Sequence, residues 1–455
     1  MAKKVEITRE FLQDLRDAIA ASDDKRAMAL ISDLHAADIA EIYDEITTDE
    51  ARILYLLLDS EKAADTLAEL DEDDREEFLR HIPSDIIAHQ FIDNMDTDDA
   101  ADVIADLSEK KQQEVLQHID DLDHSGDIVD LLGYDEDTAG GLMAKELVVV
   151  NINWSVLTCL KELGRQADEV DEVYYLYVVD DDRILKGIVS LKDLAISKNS
   201  VIISKIMESD VHAVNVNTPA EEVAQVMQKY DLVAIPVVDA IGRLIGRITI
   251  DDVVDVIREE ADRDYQLASG LTEDVEHSDN IYRNARARLP WLTIGLAGGV
   301  FGALILGRFD EELRIYPGMI LFIPLIAAMG GNVGIQSSAI VVQGLANNTL
   351  RIDSMVSKLG KDLIVALINA IILSGLIFAY NILFSDSFSL TITVSVALMS
   401  VILFASMFGT IIPIVLNKMG IDPALATGPF ITTSNDIIGL LIYMLVGRSL
   451  YGLFG

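Results

Sequence analysis

Three hydrophobic rhythms succeed one another along the chain. In residues 1–135 apolar positions recur at helical spacing in short units, LHAADIAEIYDEI, LDSEKAADTLAEL and MDTDDAADVIADL, with Ser, Thr or Asp near their starts and acids in the first turn. That is the signature of N-capped helices, and it predicts an all-α domain built as a right-handed stack of short helical repeats with an acidic surface. In residues 136–250 the period shortens to that of strands: YYLYVVD and GIVSL, then VAIPVVD and GRITI, each pair followed by helical sequence. The second set repeats the first, with Asp180 and Asp239, Gly187 and Gly246, Ser190 and Thr249, Asp193 and Asp252 each 59 residues apart. Two copies of one α/β unit are expected there. Residues 251–288 read as a connecting helix, and 289–455 turn almost wholly apolar.

That last region contains five runs, about 289–307, 317–345, 362–384, 389–417 and 424–451, each long enough to cross roughly 30 Å of hydrocarbon as a helix. Arg283, Arg286 and Arg288 precede the first run, Arg351, Lys358 and Lys361 separate the second from the third, and Lys418 precedes the fifth. The opposite side holds only Arg308, Arg314 and Arg448. The basic excess predicts a multi-pass protein of the cell membrane with residues 1–288 in the cytoplasm and the C-terminus outside. Five helices make a small bundle for a solute path, so a homodimer with a shared central pore is expected.

Charges are nearly absent inside the runs, which makes Asp436 in GPFITTSNDIIGLLIY informative. A carboxylate near the bilayer centre costs roughly 2.5–3.5 kcal/mol on insertion scales, and it normally faces a cavity, a partner or an ion. Thr432 and Gly428 stand four and eight residues before it, on the same helical face. Small residue, hydroxyl and carboxylate thus form one stripe suited to a hydrated cation. The plainer alternative is an aspartate, protonated or hydrogen-bonded, that ties helices together. In the second run, AMGGNVGIQ places Gly330, Gly331, Asn332, Gly334 and Gln336 within seven residues. Such a segment is expected to unwind or thin a helix beside a water-filled path, against the simpler reading of close helix packing.

Composition sharpens this division. The 455 residues are 51% hydrophobic yet carry a formal charge of −40. Residues 289–455 hold 7 basic and 8 acidic side chains, so residues 1–288 hold 28 against 67 and a net −39. Nucleic acid and anionic lipid are excluded as partners of such a front half, whereas cations are favoured. A single cysteine, Cys159, excludes intramolecular disulfides and fits a reducing compartment. MAKKVEITRE has no apolar segment, so no cleavable signal peptide is expected at this end.

Most acids of the helical region are accounted for by capping, but their density exceeds what capping requires. A further acidic stretch, TIDDVVDVIREEADRD, places Asp251, Asp252, Asp255, Glu259, Glu260, Asp262 and Asp264 on one helix. Carboxylates three and four residues apart repel one another unless a cation intervenes, and Mg2+ and Ca2+ take oxygen ligands. The stretch therefore reads either as a solvated acidic face or as a divalent-cation sensor joined to the membrane domain.

The Gly, hydroxyl and Asp after each second strand, Gly187, Ser190 and Asp193, then Gly246, Thr249 and Asp252, resemble the CBS domain. In tandem CBS modules that bind adenine nucleotides, the hydroxyl and Asp meet a ribose, which would give Ser190, Asp193 and Thr249 that role and make ATP a second ligand. The acidic helical domain, CBS pair, connecting helix, five spans, GGNVGIQ and DPALATGPFITTSNDIIGLLIY together resemble the MgtE family of magnesium channels and transporters over essentially the whole chain. The resemblance implies a multidomain fold. An all-α N-domain (1–135), an α/β tandem CBS pair (136–250) and a connecting plug helix (251–288) would precede a five-helix transmembrane pore (289–455). It implies a homodimeric pore that selects Mg2+ at Asp436, with Asp422 of the D-P-A-L element at the cytoplasmic mouth and Gly428 and Thr432 in the wall. It further implies regulatory Mg2+ ligands at Asp65, Asp98, Asp231, Asp252, Asp255, Glu260 and Asp264, which close the pathway when cytosolic Mg2+ is high. Arg263 and Pro219 stand where the family has acids.

Other classes fit less well. All seven histidines lie at or before His277, so no span carries imidazole ligands for an intramembrane zinc protease. No G-x-x-x-x-G-K-[ST] phosphate loop supports an ATP-driven pump, and no enzyme is expected. The runner-up is a proton-coupled secondary transporter of Mg2+, Mn2+ or Co2+ that uses Asp436 as its proton site.

Overall fold

The computed structural model describes residues 7–166, 170, 173–272, 275, 281–346, 355–385 and 387–454. Arg351 and His277 lie outside them. The chain divides into two compact units, Met1–Arg258 and Glu259–Gly455.

The first unit opens with ten helices: α1 (Arg9–Ala20), α2 (Asp24–Ile31), α3 (Ala36–Ala40), α4 (Thr48–Leu57), α5 (Ser60–Ala68), α6 (Glu72–Leu79), α7 (Ser84–Gln90), α8 (Thr97–Ala105), α9 (Glu109–Leu116) and α10 (Leu122–Leu131). From α4 onward their N-cap residues, Thr47, Asp59, Asp71, Pro83, Asp96, Ser108 and Asp121, recur every 12 or 13 positions. Helices this short are not stable alone, so packing must hold them. It does so through a shared core that includes Leu54, Leu67, Phe78, Phe91, Ile104 and Val115. Successive layers also interlock through polar side chains that reach carbonyls 30 to 32 residues earlier. Lys62 donates to Ser32 at 2.7 Å, Gln90 to Leu58 at 3.1 Å, and His124 Nε2 pairs with the Ile92 carbonyl at 3.1 Å.

The next portion realises the internal repeat as two sheets of the same topology. Strands β1 (Val148–Asn151), β2 (Leu176–Val179) and β3 (Leu185–Val189), with α11 (Val156–Gln166) and α12 (Leu191–Ile196), form the first copy. Strands β4 (Val214–Asn215), β5 (Ala234–Val238) and β6 (Leu244–Thr249), with α13 (Ala220–Tyr230) and α14 (Ile250–Ser269), form the second. In each sheet the first pairing is parallel and the second antiparallel. The register slips at Val178/Val179 in one copy and at Val237/Val238 in the other, again 59 residues apart. Asp180 and Asp239 shape the equivalent turns by accepting backbone N–H bonds from Asp182 and Ile184, and from Ile241 and Arg243.

Among the described residues the second unit holds five helices long and apolar enough to cross a membrane: Ile281–Arg308, Pro317–Ala346, Leu359–Phe384, Phe388–Lys418 and Gly428–Leu450. They belong to α15 (Ile281–Arg308), α17 (Ile323–Ala346) with the 3-10 turn Pro317–Phe322 before it, α18 (Met355–Phe384), α19 (Phe388–Lys418) and α20 (Gly428–Phe454). Short α16 (Asp310–Ile315) follows α15. α19 is the most enclosed, and α17 and α20 pack on it around Val401, Ile402 and Tyr443. Tyr443 donates its hydroxyl proton to the Met319 carbonyl at 2.8 Å, which ties α20 to the 3-10 turn.

The glycine-rich segment does not unwind. α17 runs unbroken through Gly330, Gly331 and Gly334, because these glycines mark the places where its neighbours come nearest. A Cβ on Gly330 would press on Val401 at 3.2 Å, and one on Gly334 would overlap the Asn435 amide. One on Gly409 of α19 would overlap the Gly334 carbonyl. Packing on small residues, rather than irregular backbone, is what this segment provides. Gly409→Ala is accordingly expected to destabilise the detergent-solubilised protein by about 1–3 kcal/mol, as overpacking does. Gly375→Ala, where a Cβ meets nothing, is expected not to lower the unfolding midpoint; equal midpoints for the two variants would refute this account.

Candidate functional site

Asp436 lies eight residues along α20, about 12 Å from its start, and is half-buried. The face it shares with Thr432 turns toward α17: a Cβ on Gly331 would meet Thr432 Cγ2 at 3.2 Å and Asp436 Oδ1 at 3.6 Å. Gly331 thus leaves room for carboxylate and hydroxyl against helix backbone. Thr432 donates its hydroxyl proton to the Gly428 carbonyl at 2.8 Å, which joins the first two members of the stripe. Asn435, beside Asp436, is fully buried, and its amide oxygen and nitrogen find no partner among the described residues. Asn332 and Gln336 are exposed on the other side of α17.

Gly428 has φ +52°, a conformation that favours glycine, and a Cβ there would overlap the carbonyl of Ala268 at the end of α14. Gly270, likewise left-handed, has Pro429 in that position. These residues, with Arg288, Trp291 and Thr432, line a cavity of about 940 Å³ at this end of the helices. Asp422 caps the 3-10 turn Pro423–Ala426 by accepting the Ala424 N–H at 2.7 Å. A second acid, Asp362 of α18, stands 3.5 Å from the Thr410 hydroxyl near the beginning of its span.

In the first unit the acids gather where α8 faces the start of α14. One oxygen from each of Asp96, Asp98 and Glu146 lies within 4.8 Å of the others. Asp96 stands at the α8 N-cap without a capping hydrogen bond, whereas Glu146 accepts the Thr97 N–H at 3.2 Å and its hydroxyl at 2.8 Å. Burial raises the Asp98 carboxyl well above its usual range, and the charges of Asp99, Asp252, Asp96 and Glu146 add to this. Asp99 and Asp102 are exposed at the surface, yet desolvation by the protein around them pushes both up to about 7. Arg75 opposes these shifts, and it pairs with Asp106 at 2.8 Å. Burial also raises Asp252, although the Thr249 N–H and hydroxyl donate to its carboxylate at 3.0 and 2.7 Å.

The remaining expected residues scatter more widely. Glu69 is raised by burial and then by Asp255, with Asp65 contributing, so these three acids sense one another. Asp231, exposed, ends α13 in the left-handed conformation at φ +52°, a sufficient structural reason for a short polar residue there. Glu260 and Asp264 fall in the second unit, and Arg263 lies 3.5 Å from Glu260. Ser190 and Asp193 close on each other at the α12 N-terminus, at 2.6 and 3.1 Å, as Thr249 and Asp252 do at α14. Asp96, Asp99, Asp102 and Glu146 were not singled out from sequence. The run DTDDAAD carried the signal for three of them, whereas nothing local distinguishes Glu146, which arrives from 48 residues beyond Asp98.

Residues 323–446 match a family model described as MgtE, divalent cation transporter. Residues 34–137 match the MgtE intracellular N domain, and residues 139–197 and 203–259 match the CBS domain. The chain is similar to the magnesium transporter MgtE of Thermus thermophilus, at 31% identity over 96% of this chain and 97% of that protein. For the magnesium transporter MgtE of Enterococcus faecalis the values are 34%, 70% and 71%. Among solved structures, the soluble part of a magnesium transporter is 30% identical with a TM-score of 0.50, covering 55% of this chain and 98% of that one. The cytosolic domain of the Mg2+ channel MgtE in complex with ATP is 32% identical with a TM-score of 0.51, covering 54% and 99%.

The acidic cluster sets a pH dependence. Because Asp99 and Asp102 are raised above the ordinary carboxylate value, the folded state holds more protons than the unfolded one. Their contribution to stability is present at low pH and is lost as pH rises through about 7. In chelator, the thermal midpoint of the soluble half should fall between about pH 4 and about pH 7, and Asp99→Asn with Asp102→Asn should flatten that slope. A parent midpoint flat over this window would contradict the clustering.

Proposed function

The chain belongs to the MgtE family of divalent cation transporters, a family of transporters rather than enzymes, and on that premise we propose that it is a Mg2+-selective pathway for uptake across the cell membrane, formed by a homodimer and closed by cytosolic Mg2+. The observation that carries the reading is the half-buried Asp436 carboxylate held beside Thr432 against the bare backbone of Gly331. A hydrated Mg2+ keeps several waters and accepts one or two carboxylates. Asp436 supplies the charge and the Thr432 stripe supplies wall space, while Asp422 and the cavity around Gly428 form the mouth.

Closure rests on the acids of the soluble half. Their donors are carboxylate oxygens, the type a hard cation takes, so Asp98, Asp252 and Asp255 with Asp65, Asp231, Glu260 and Asp264 fit regulatory Mg2+. At low Mg2+ the −39 charge of each soluble half drives the two protomers' domains apart; neutralised, they draw together and α14 holds the pathway shut. Moving such an equilibrium from 1:99 to 99:1 takes about 5.5 kcal/mol of differential affinity, which calls for several cooperating carboxylate pairs. The CBS pair would in addition take ATP, with Ser190, Asp193 and Thr249 toward the ribose; the likeness to a cytosolic domain solved with ATP supports this.

Two measurements test the reading. Mg2+ flux into proteoliposomes is expected to vanish in a folded, dimeric Asp436→Ala variant and to be indifferent to an imposed pH gradient in the parent. Retained flux would return Asp436 to a helix-tying role, and flux driven by the pH gradient would favour a proton-coupled carrier. Neutralising Asp252, Asp255 and Glu260 together should leave conduction insensitive to internal Mg2+; unchanged inhibition would remove them from the sensor.

A further inference from the structure

The helical domain holds one cluster of a different donor chemistry. His89 in the last turn of α7, Asp93 in the 3-10 turn Ile92–Asn94 and Asp120 in the connection between α9 and α10 bring one ligand atom each within 4.8 Å of the others. His89 Nδ1 lies 3.0 Å from Asp93 Oδ2 and 3.7 Å from Asp120 Oδ2. One imidazole nitrogen therefore faces two carboxylates contributed by separate elements. A proton on Nδ1 serves Asp93 but leaves Asp120 beyond hydrogen-bond reach, so a protonated histidine uses only half of the arrangement.

The surroundings hold the three groups in this orientation. Asp93 accepts the Asp120 N–H at 3.1 Å through Oδ1, which leaves its Oδ2 directed at the ring. Asn94 donates to the His89 carbonyl at 3.2 Å and fixes the end of α7. Outer contacts of this kind orient ligands in metal sites. Side-chain exposure is 50% for His89, 17% for Asp93 and 86% for Asp120, so an ion has access from solvent and the open side is left for water.

We propose that His89, Asp93 and Asp120 form a site for a borderline transition-metal dication of the Zn2+, Co2+ or Ni2+ class. Imidazole suits these ions, whereas Mg2+ prefers an all-oxygen octahedron. This mixed nitrogen and oxygen set differs from the carboxylate-only cluster of Asp96, Asp98 and Glu146, and a hard cation does not fill it. The bound ion clips the α7 end to the start of the α10 layer.

The test uses tag-free full-length protein in detergent, titrated calorimetrically with Zn2+ in excess Mg2+. The parent is expected to take up one Zn2+ per chain more than His89→Ala, and Asp120→Asn is expected to bind that ion roughly tenfold more weakly. Asp120→Asn alters an exposed side chain and decides the matter if His89→Ala does not fold. Equal Zn2+ uptake by parent and variants, or Zn2+ uptake in the parent that Mg2+ abolishes, would overturn the proposal.

Discussion

An ionised oxygen inside hydrocarbon needs surroundings that tolerate its charge, and the packing of α17, α19 and α20 answers that need. Three glycines on α17 and Gly409 on α19 let the helix backbones approach where side chains would keep them apart. The consequence is local: Gly331 gives Asp436 and Thr432 a shallow wall of main chain, while Gly330 and Gly334 seat Val401 and Asn435 behind it. The same small residues therefore do two things at once, tightening the bundle and leaving room on the side where the carboxylate stands.

The soluble half meets the problem of charge in the opposite way. Thr47, Asp59 and Asp121 spend their oxygens on helix N-termini, where the backbone N–H groups and the helix dipole receive them. Asp98, Asp99, Asp102 and Asp252 are instead crowded against one another with Arg75 as the chief nearby cation. Such crowding costs stability whenever all are ionised. A fold that retains it has made its own compactness depend on the protonation of the group.

Much of this was legible along the chain. The five spans, the 59-residue repeat and the i, i+4, i+8 stripe ending at Asp436 each follow from a fixed period, and helices and strands preserve such periods. The capping role of the acids was readable for the same reason. What escaped depended on approach in space. GGNVG reads equally as a broken helix or a packing face, and only the positions of Val401, Gly409 and Asn435 decide between them. Glu146 reaches Thr97 across 49 residues, and no local rule marks it. Asp99 and Asp102 look like ordinary solvated acids until the neighbouring α14 start is in view.

Gly428 carries a mechanical implication. A Cβ on it would overlap the Ala268 carbonyl, and one on Gly270 would overlap the Pro429 ring. Side chains act as cushions, since rotamer changes absorb small displacements before the backbone has to move. At Gly428 the contact is backbone against backbone, which leaves less of that play between the end of α14 and the first turn of α20.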